Sequence, residues 1–190
     1  MNAQKLRQSA LWLSGPIGFI FPAMFAWDIY AKNFTQPQNV ATWGMVLFMD
    51  VLGLILVLKA GNKRPILQIG WCAAAVCIML AIIVNESRWH WGWVESISIL
   101  LCGISVWLWQ TRDDPKNALW FYMAAMYVSF APQAYNYWYK PQPETLYLWT
   151  WSIVGCVLAI AGSKKRDFAN TFVPWGAAIL NVLITILVLL

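Results

Sequence analysis

A single aspartate, Asp50, stands at the centre of an otherwise apolar stretch, TWGMVLFMDVLGLILVL. A carboxylate placed there can accept hydrogen bonds from a polar solute, or take up and release a proton coupled to another event. Asn181 stands midway along a second apolar stretch near the C-terminus. Its amide can bind hydroxyls or join helices. Trp43, Trp71, Trp149 and Trp175 stand in or near comparable stretches. An indole can stack on a sugar face, an aromatic ring or a cation. Pro22 and Pro132 interrupt two further stretches, and Gln133 follows the second. A proline inside a helix removes one hydrogen bond and kinks it. The plain alternatives are an aspartate bonded to a neighbouring helix, an amide that only joins helices, packing tryptophans and static kinks.

The elements that must position these groups follow from composition. Of the 190 residues, 61% are hydrophobic and 11% charged. A soluble domain of this size has too few interior positions to bury that much apolar side chain. A bilayer span needs about 20 mostly apolar residues, and seven such runs can be traced. They cover about 10–31, 41–59, 66–84, 92–110, 117–137, 146–162 and 170–190. The first run is too long for a cleavable signal peptide and has no small-x-small cleavage pattern, so it reads as a retained span. A carboxylate at mid-bilayer costs about 2.5–3.5 kcal/mol on insertion scales, so Asp50 should face a bundle interior or water.

The net charge of +5 reports topology rather than nucleic-acid binding. Lys5, Arg7, Lys59, Lys63, Arg64, Arg112, Lys116, Lys164, Lys165 and Arg166 fall at the N-terminus and in the even-numbered loops. Only Lys32, Arg88 and Lys140 fall in the others. That asymmetry predicts a cytoplasmic N-terminus and an external C-terminus. Gln68 lies near the inner end, within reach of water. Asp28, Asn85, Glu95 and Asn136 lie toward the outer end, where interfacial water would solvate them. Trp12, Trp27, Trp89, Trp91, Trp93, Trp109, Trp120 and Trp138 lie near span ends, as an aromatic belt requires.

Enzyme chemistry finds no support. There is no phosphate-cradling glycine loop, no His-based nucleophile and no pair of carboxylates at a clear spacing. Cys72, Cys77, Cys102 and Cys156 all fall inside spans and read as reduced packing residues. His90 is the only histidine and sits among tryptophans, so no metal centre and no cofactor are expected. The last span has no lysine for a retinal Schiff base.

A fainter copy of the second half lies in the first. Pro22 pairs with Pro132, Gln36-Pro37 with Gln142-Pro143, Trp43 with Trp149, and Val51-Leu52 with Val157-Leu158. In the third helices Trp71 pairs with Trp175 and Ala73-Ala74 with Ala177-Ala178. Equivalent helices are four spans apart, an even step, so the two copies have the same orientation in the membrane. This predicts an all-α fold of seven spans in a 3+1+3 plan. A three-helix bundle over 10–84 and another over 117–190 are joined by a linker helix over 92–110.

The segment PQAYNYWYKPQPETLYLWTWSIVG resembles the PQ-loop motif. Pro132, Gln133, Lys140, Glu144, Trp151 and Gly155 stand at matching places. That family includes the SWEET sugar transporters, the lysosomal amino-acid exporters and the KDEL receptor. The resemblance implies alternating access through a midplane site between two three-helix repeats, with paired hinges at Pro22 and at Pro132-Gln133. Neither middle helix carries the proline of the SWEET sugar transporters, so the expected solute is a small polar metabolite, not specifically a sugar. The bacterial nicotinamide riboside transporters share the 3+1+3 plan, and a vitamin or nucleoside carrier that stacks its solute on tryptophan is the second reading. A non-transporting receptor or scaffold is the third. The expected site comprises Asp50, Asn181, Trp43, Trp71, Trp149 and Trp175. The expected partners are a small-molecule solute and the lipid bilayer, with homo-oligomers allowed. The expected location is a bacterial cytoplasmic membrane.

Overall fold

Long apolar runs in lipid must satisfy their own backbone polar groups, and a helix does so within one segment. The computed structural model describes residues 2–31, 39–85, 89–139, 145–164 and 167–190, the side chains of Pro132, Gln133 and Asn136 excepted. Among these residues the regular structure is entirely helical. The helices are α1 (Ala3–Tyr30), α2 (Val40–Lys59), α3 (Ile66–Val84), α4 (Trp93–Arg112), α5 (Pro115–Tyr139), α6 (Leu146–Gly162) and α7 (Phe168–Leu189).

Local chemistry sets several ends. Asn2, Asn39 and Asp167 cap α1, α2 and α7, each accepting a backbone N–H in the first turn. Because Asn2 can cap, α1 begins well before the first apolar run. Past α2, Gly61 adopts φ +105°. Its N–H donates to the Leu58 carbonyl and the next N–H, of Asn62, to Val57. This is the paired closure that favours glycine at that position. The Pro132-Gln133 pair does not end its helix, since α5 continues to Tyr139. One lost hydrogen bond leaves the rest of the ladder intact.

Helices α1, α2, α3, α4 and α7 are long and apolar enough to cross a membrane, and α6 is a shorter apolar helix of 17 residues. Ile20, Phe48, Leu80, Ile83, Leu100, Ile179 and Leu183 are large, apolar and exposed. Water would penalise that much uncovered apolar surface, whereas lipid tails match it. The protein is an integral membrane protein.

Six helices form a closed ring by packing in the order α1, α3, α2, α5, α7, α6 and back to α1. Helix α4 lies outside the ring against α5 and α2. Small residues let the axes approach. A Cβ on Gly70 would collide with the Gly15 carbonyl across the α1–α3 contact, and one on Gly162 would collide with the backbone of Leu11 across α1–α6. Gly53 likewise leaves space that the fully buried Tyr122 ring of α5 fills.

A cavity inside the helix ring

The six ring helices enclose a cavity of about 90 Å³. Pro22, Trp43, Asp50, Trp71, Trp149 and Asn181 all line it. They come from α1, α2, α3, α6 and α7 and span 159 positions of sequence, from 22 to 181. Both Asp50 and Asn181 fall near the middle of their helices, so the cavity sits halfway along the bundle.

Two aromatic pairs flank the chamber in matching ways. Trp43 of α2 packs on Phe25 of α1 with ring centroids 5.4 Å apart. Trp149 of α6 packs edge-on against Phe130 of α5 at 6.0 Å. The Trp149 indole N–H is held by the Tyr137 and Thr145 hydroxyls, each at 3.3 Å. Its ring is therefore fixed by both packing and hydrogen bonding.

The polar groups of the cavity mostly accept hydrogen bonds. Asn181 donates its amide N–H to the Ala177 carbonyl at 2.7 Å. Ser152, which also lines the cavity, donates its hydroxyl to Leu148 at 2.8 Å. The Ser152 hydroxyl and one of the two Asn181 N–H groups are thereby engaged within their own helices. Asp50 is half-buried, and among the described residues no group donates a hydrogen bond to its carboxylate. A carboxylate, an amide oxygen and a hydroxyl oxygen suit a guest that donates, such as a hydroxyl, an amine or a cation.

Trp175 does not join them. It is 55% exposed on the outward side of α7. The buried positions Gly70, Ala74, Ala75, Ile78 and Ala81 of α3 match Val173, Ala177, Ala178, Asn181 and Ile184 of α7, each 103 positions later. The expected pairing of Trp71 with Trp175 is one residue out of that register. One residue turns a helix by about 100°, enough to move an indole from cavity to lipid. At that offset of 103 positions Trp175 stands opposite Cys72, and Asn181 opposite Ile78.

The polar residues away from the cavity also differ from expectation. Glu95 is 7% exposed, not solvated. It accepts hydrogen bonds from the Thr42 hydroxyl at 2.8 Å and the Gly92 N–H at 3.0 Å, and Asn39 approaches at 3.5 Å. Asp28 accepts from the Tyr147 hydroxyl at 2.5 Å, and Asn85 donates to the Ile29 carbonyl. Gln68, expected to reach water, is 4% exposed. Side-chain contacts of Pro132, Gln133 and Asn136 lie outside the described residues, as do Gln36, Pro37, Lys140, Gln142, Pro143 and Glu144. Ser152 was not anticipated as a cavity residue. Its position three residues after Trp149, on the same helix face, is the signal that could have found it.

The fold and this chamber define a helical membrane protein with a largely apolar pocket midway between its helices, into which Asp50, Ser152 and Asn181 bring polar groups. No family model, curated protein or solved structure matches the chain.

Proposed function

We propose that the protein is a membrane transporter that moves a small polar solute by alternating access between two three-helix repeats. The observation that carries this reading is the cavity itself. Asp50, Asn181 and three tryptophans, apart in sequence, converge on one chamber inside the ring.

The packing order supports the 3+1+3 plan. Exchanging α1, α2 and α3 with α5, α6 and α7 maps the ring of contacts onto itself. The contact α1–α6 becomes α5–α2, and α2–α3 becomes α6–α7. The matched burial of α3 and α7 and the paired Phe–Trp contacts obey the same exchange. On this reading all seven helices span and α4 is the linker. The basic end is cytoplasmic in a bacterial inner membrane, and the PQ-loop resemblance extends across both copies. Pro22, buried and at the cavity wall, serves as a hinge for rocking one bundle against the other. The chamber is smaller than the roughly 300–1,000 Å³ of sites that enclose drug-sized ligands. It takes a few heavy atoms as it stands, and a hexose requires the bundles to part.

Trp43, Trp71 and Trp149 together at the wall favour one second reading, a carrier for an aromatic vitamin or nucleoside held by stacking.

Uptake into proteoliposomes tests both. A panel of polyols, amines and nicotinamide-type solutes, with and without a proton gradient, should identify a carried class. Asp50→Asn should then lower uptake at least tenfold. Uptake equal to that of the parent would remove Asp50 from the mechanism. Competition by aromatic but not saturated compounds would favour the stacking carrier.

A further inference from the structure

A second and larger recess opens at the face that carries the N-terminus. It measures about 830 Å³ and lies among the start of α1, the α2–α3 turn, the end of α6 and the start of α7. Arg7, Lys63, Arg64 and Lys164 line it. All four are exposed, and among the described residues none makes an ion pair. Two cations of the same face are placed differently. Lys59 lies over the Trp109 ring at 5.8 Å and Arg112 over Trp107 at 5.6 Å. Among the described residues Asp167 is the one carboxylate on the recess wall, and it accepts hydrogen bonds from the N–H groups of Asn170.

A signature of topology needs only a number of positive charges near one face. It does not need what lies at the base of this recess. Gln68, in the first turn of α3, lines the same space and is 4% exposed. Its Nε2 is fully enclosed and has no hydrogen-bond partner. A buried donor left unpaired costs about 1–3 kcal/mol, and turning the Gln68 amide toward the recess would let an acceptor there meet it. The start of α3 has no side-chain cap either, because Pro65 occupies the position that Asn2, Asn39 and Asp167 fill elsewhere. The Ile66 N–H is taken by the Arg64 carbonyl, which leaves the next N–H groups of the first turn and the positive end of the helix dipole to the recess. Four unpaired cations, an uncapped helix and an orphaned amide donor all ask for the same guest: a compact anion rich in acceptor oxygens.

We propose that this recess binds a phosphate-type oxyanion, seated on Gln68 and the start of α3 and neutralised by Arg7, Lys63, Arg64 and Lys164. The guest is either a free phosphate or phosphomonoester or the headgroup of an anionic phospholipid. The site is separate from the mid-bundle cavity, and its occupancy is read by binding without flux, so it stands or falls apart from the transport reading.

The test uses the full-length protein. Inorganic phosphate is titrated calorimetrically into protein in neutral detergent at low salt. Melting temperature is followed in nanodiscs of neutral lipid, with and without phosphatidic acid. Saturable phosphate binding identifies a free oxyanion. A rise in melting temperature that needs phosphatidic acid identifies the headgroup. In either case Gln68→Met, which keeps length and removes the donor, should weaken the response at least tenfold. The exposed double change Lys63→Gln with Arg64→Gln should do the same without touching the packed interior, whereas Arg112→Gln should leave it unchanged. No response to either probe, or full responses in both the Gln68→Met and the double variant, overturns the proposal.

Discussion

The two ends of the helix bundle are held by different forces. At the end away from the N-terminus, polar side chains bond one helix to another. Glu95 of α4 gathers the Thr42 hydroxyl of α2 and the Gly92 N–H, Asp28 of α1 meets Tyr147 of α6, and Asn85 reaches the Ile29 carbonyl. Toward the N-terminal end fewer such bonds are found among the described residues, the Ser105 hydroxyl of α4 to the Ala118 carbonyl of α5 being one. Backbones touch there through Gly15, Gly70 and Gly162, and the charged residues around the recess repel one another. One end is latched by directional bonds and the other is held by close packing beneath an open basic mouth. Under the transport reading, this is a state open to the N-terminal face, and passage to the other state must break the polar latch.

The largest effect should come from the packed end. Gly70→Val puts side-chain atoms into the Gly15 carbonyl, where no flexible neighbour can give way. Overpacking costs about 1–3 kcal/mol against movable side chains, and a backbone obstacle should exceed that. We expect the variant to lose its cooperative melting transition in detergent. A melting temperature near that of the parent would mean that α1 and α3 can separate freely, and the contrast between the ends would fail.

The latch comes next. Glu95→Ala leaves the Thr42 hydroxyl and the Gly92 N–H without their acceptor. Hydrogen bonds to charged groups are worth about 1.5–3 kcal/mol each, and a loss of about 3 kcal/mol is expected in chemical unfolding. Glu95→Gln keeps an acceptor and should lose less than half as much. Tyr147→Phe removes the single bond to Asp28 at this same end. Its acceptor is a carboxylate too, so its cost should be that of one such bond, about 1.5 kcal/mol and half that of Glu95→Ala. If Tyr147→Phe proved more damaging than Glu95→Ala, the latch would centre on α1–α6 rather than on α2–α4.

The sequence predicts one part of this contrast better than the other. The helices were legible because an apolar run bounded by polar residues has one solution in lipid, and the boundaries of α2, α3 and α6 agree with the expected runs. Asp50 was legible for the same reason: a lone carboxylate amid apolar residues must turn inward. Trp175 was not. Three consecutive alanines, Ala73 to Ala75, can be aligned with Ala177-Ala178 in two ways, and identity matching chose the one that rotates the indole inward. The buried positions of α3 and α7 match better at the other. Glu95 was misread because its partners Thr42 and Asn39 lie more than fifty positions away, and nothing local announces them. Gln68 was misread because proximity to a helix end is not the same as contact with water.

The smallest effect should come from the basic mouth, and its sign separates the two ends most cleanly. Surface ion pairs contribute about 0–1 kcal/mol, and like charges oppose stability by similar small amounts. Lys63, Arg64, Arg7 and Lys164 share one recess with a single carboxylate on its wall. Replacing Lys63 and Arg64 with glutamine in phosphate-free buffer should therefore raise stability slightly, by a few tenths of a kcal/mol. Sodium chloride at about 0.5 M should do the same for the parent, because screening shortens the reach of exposed charges to a few ångströms. The variant should be less sensitive to salt than the parent, since fewer charges remain to be screened. Glu95→Ala should keep the parent's salt response, because its bonds lie at the other end and are buried. A fall in stability for the double variant, with salt lowering the parent as well, would mean that these cations hold the end together, and both ends would then depend on polar attraction.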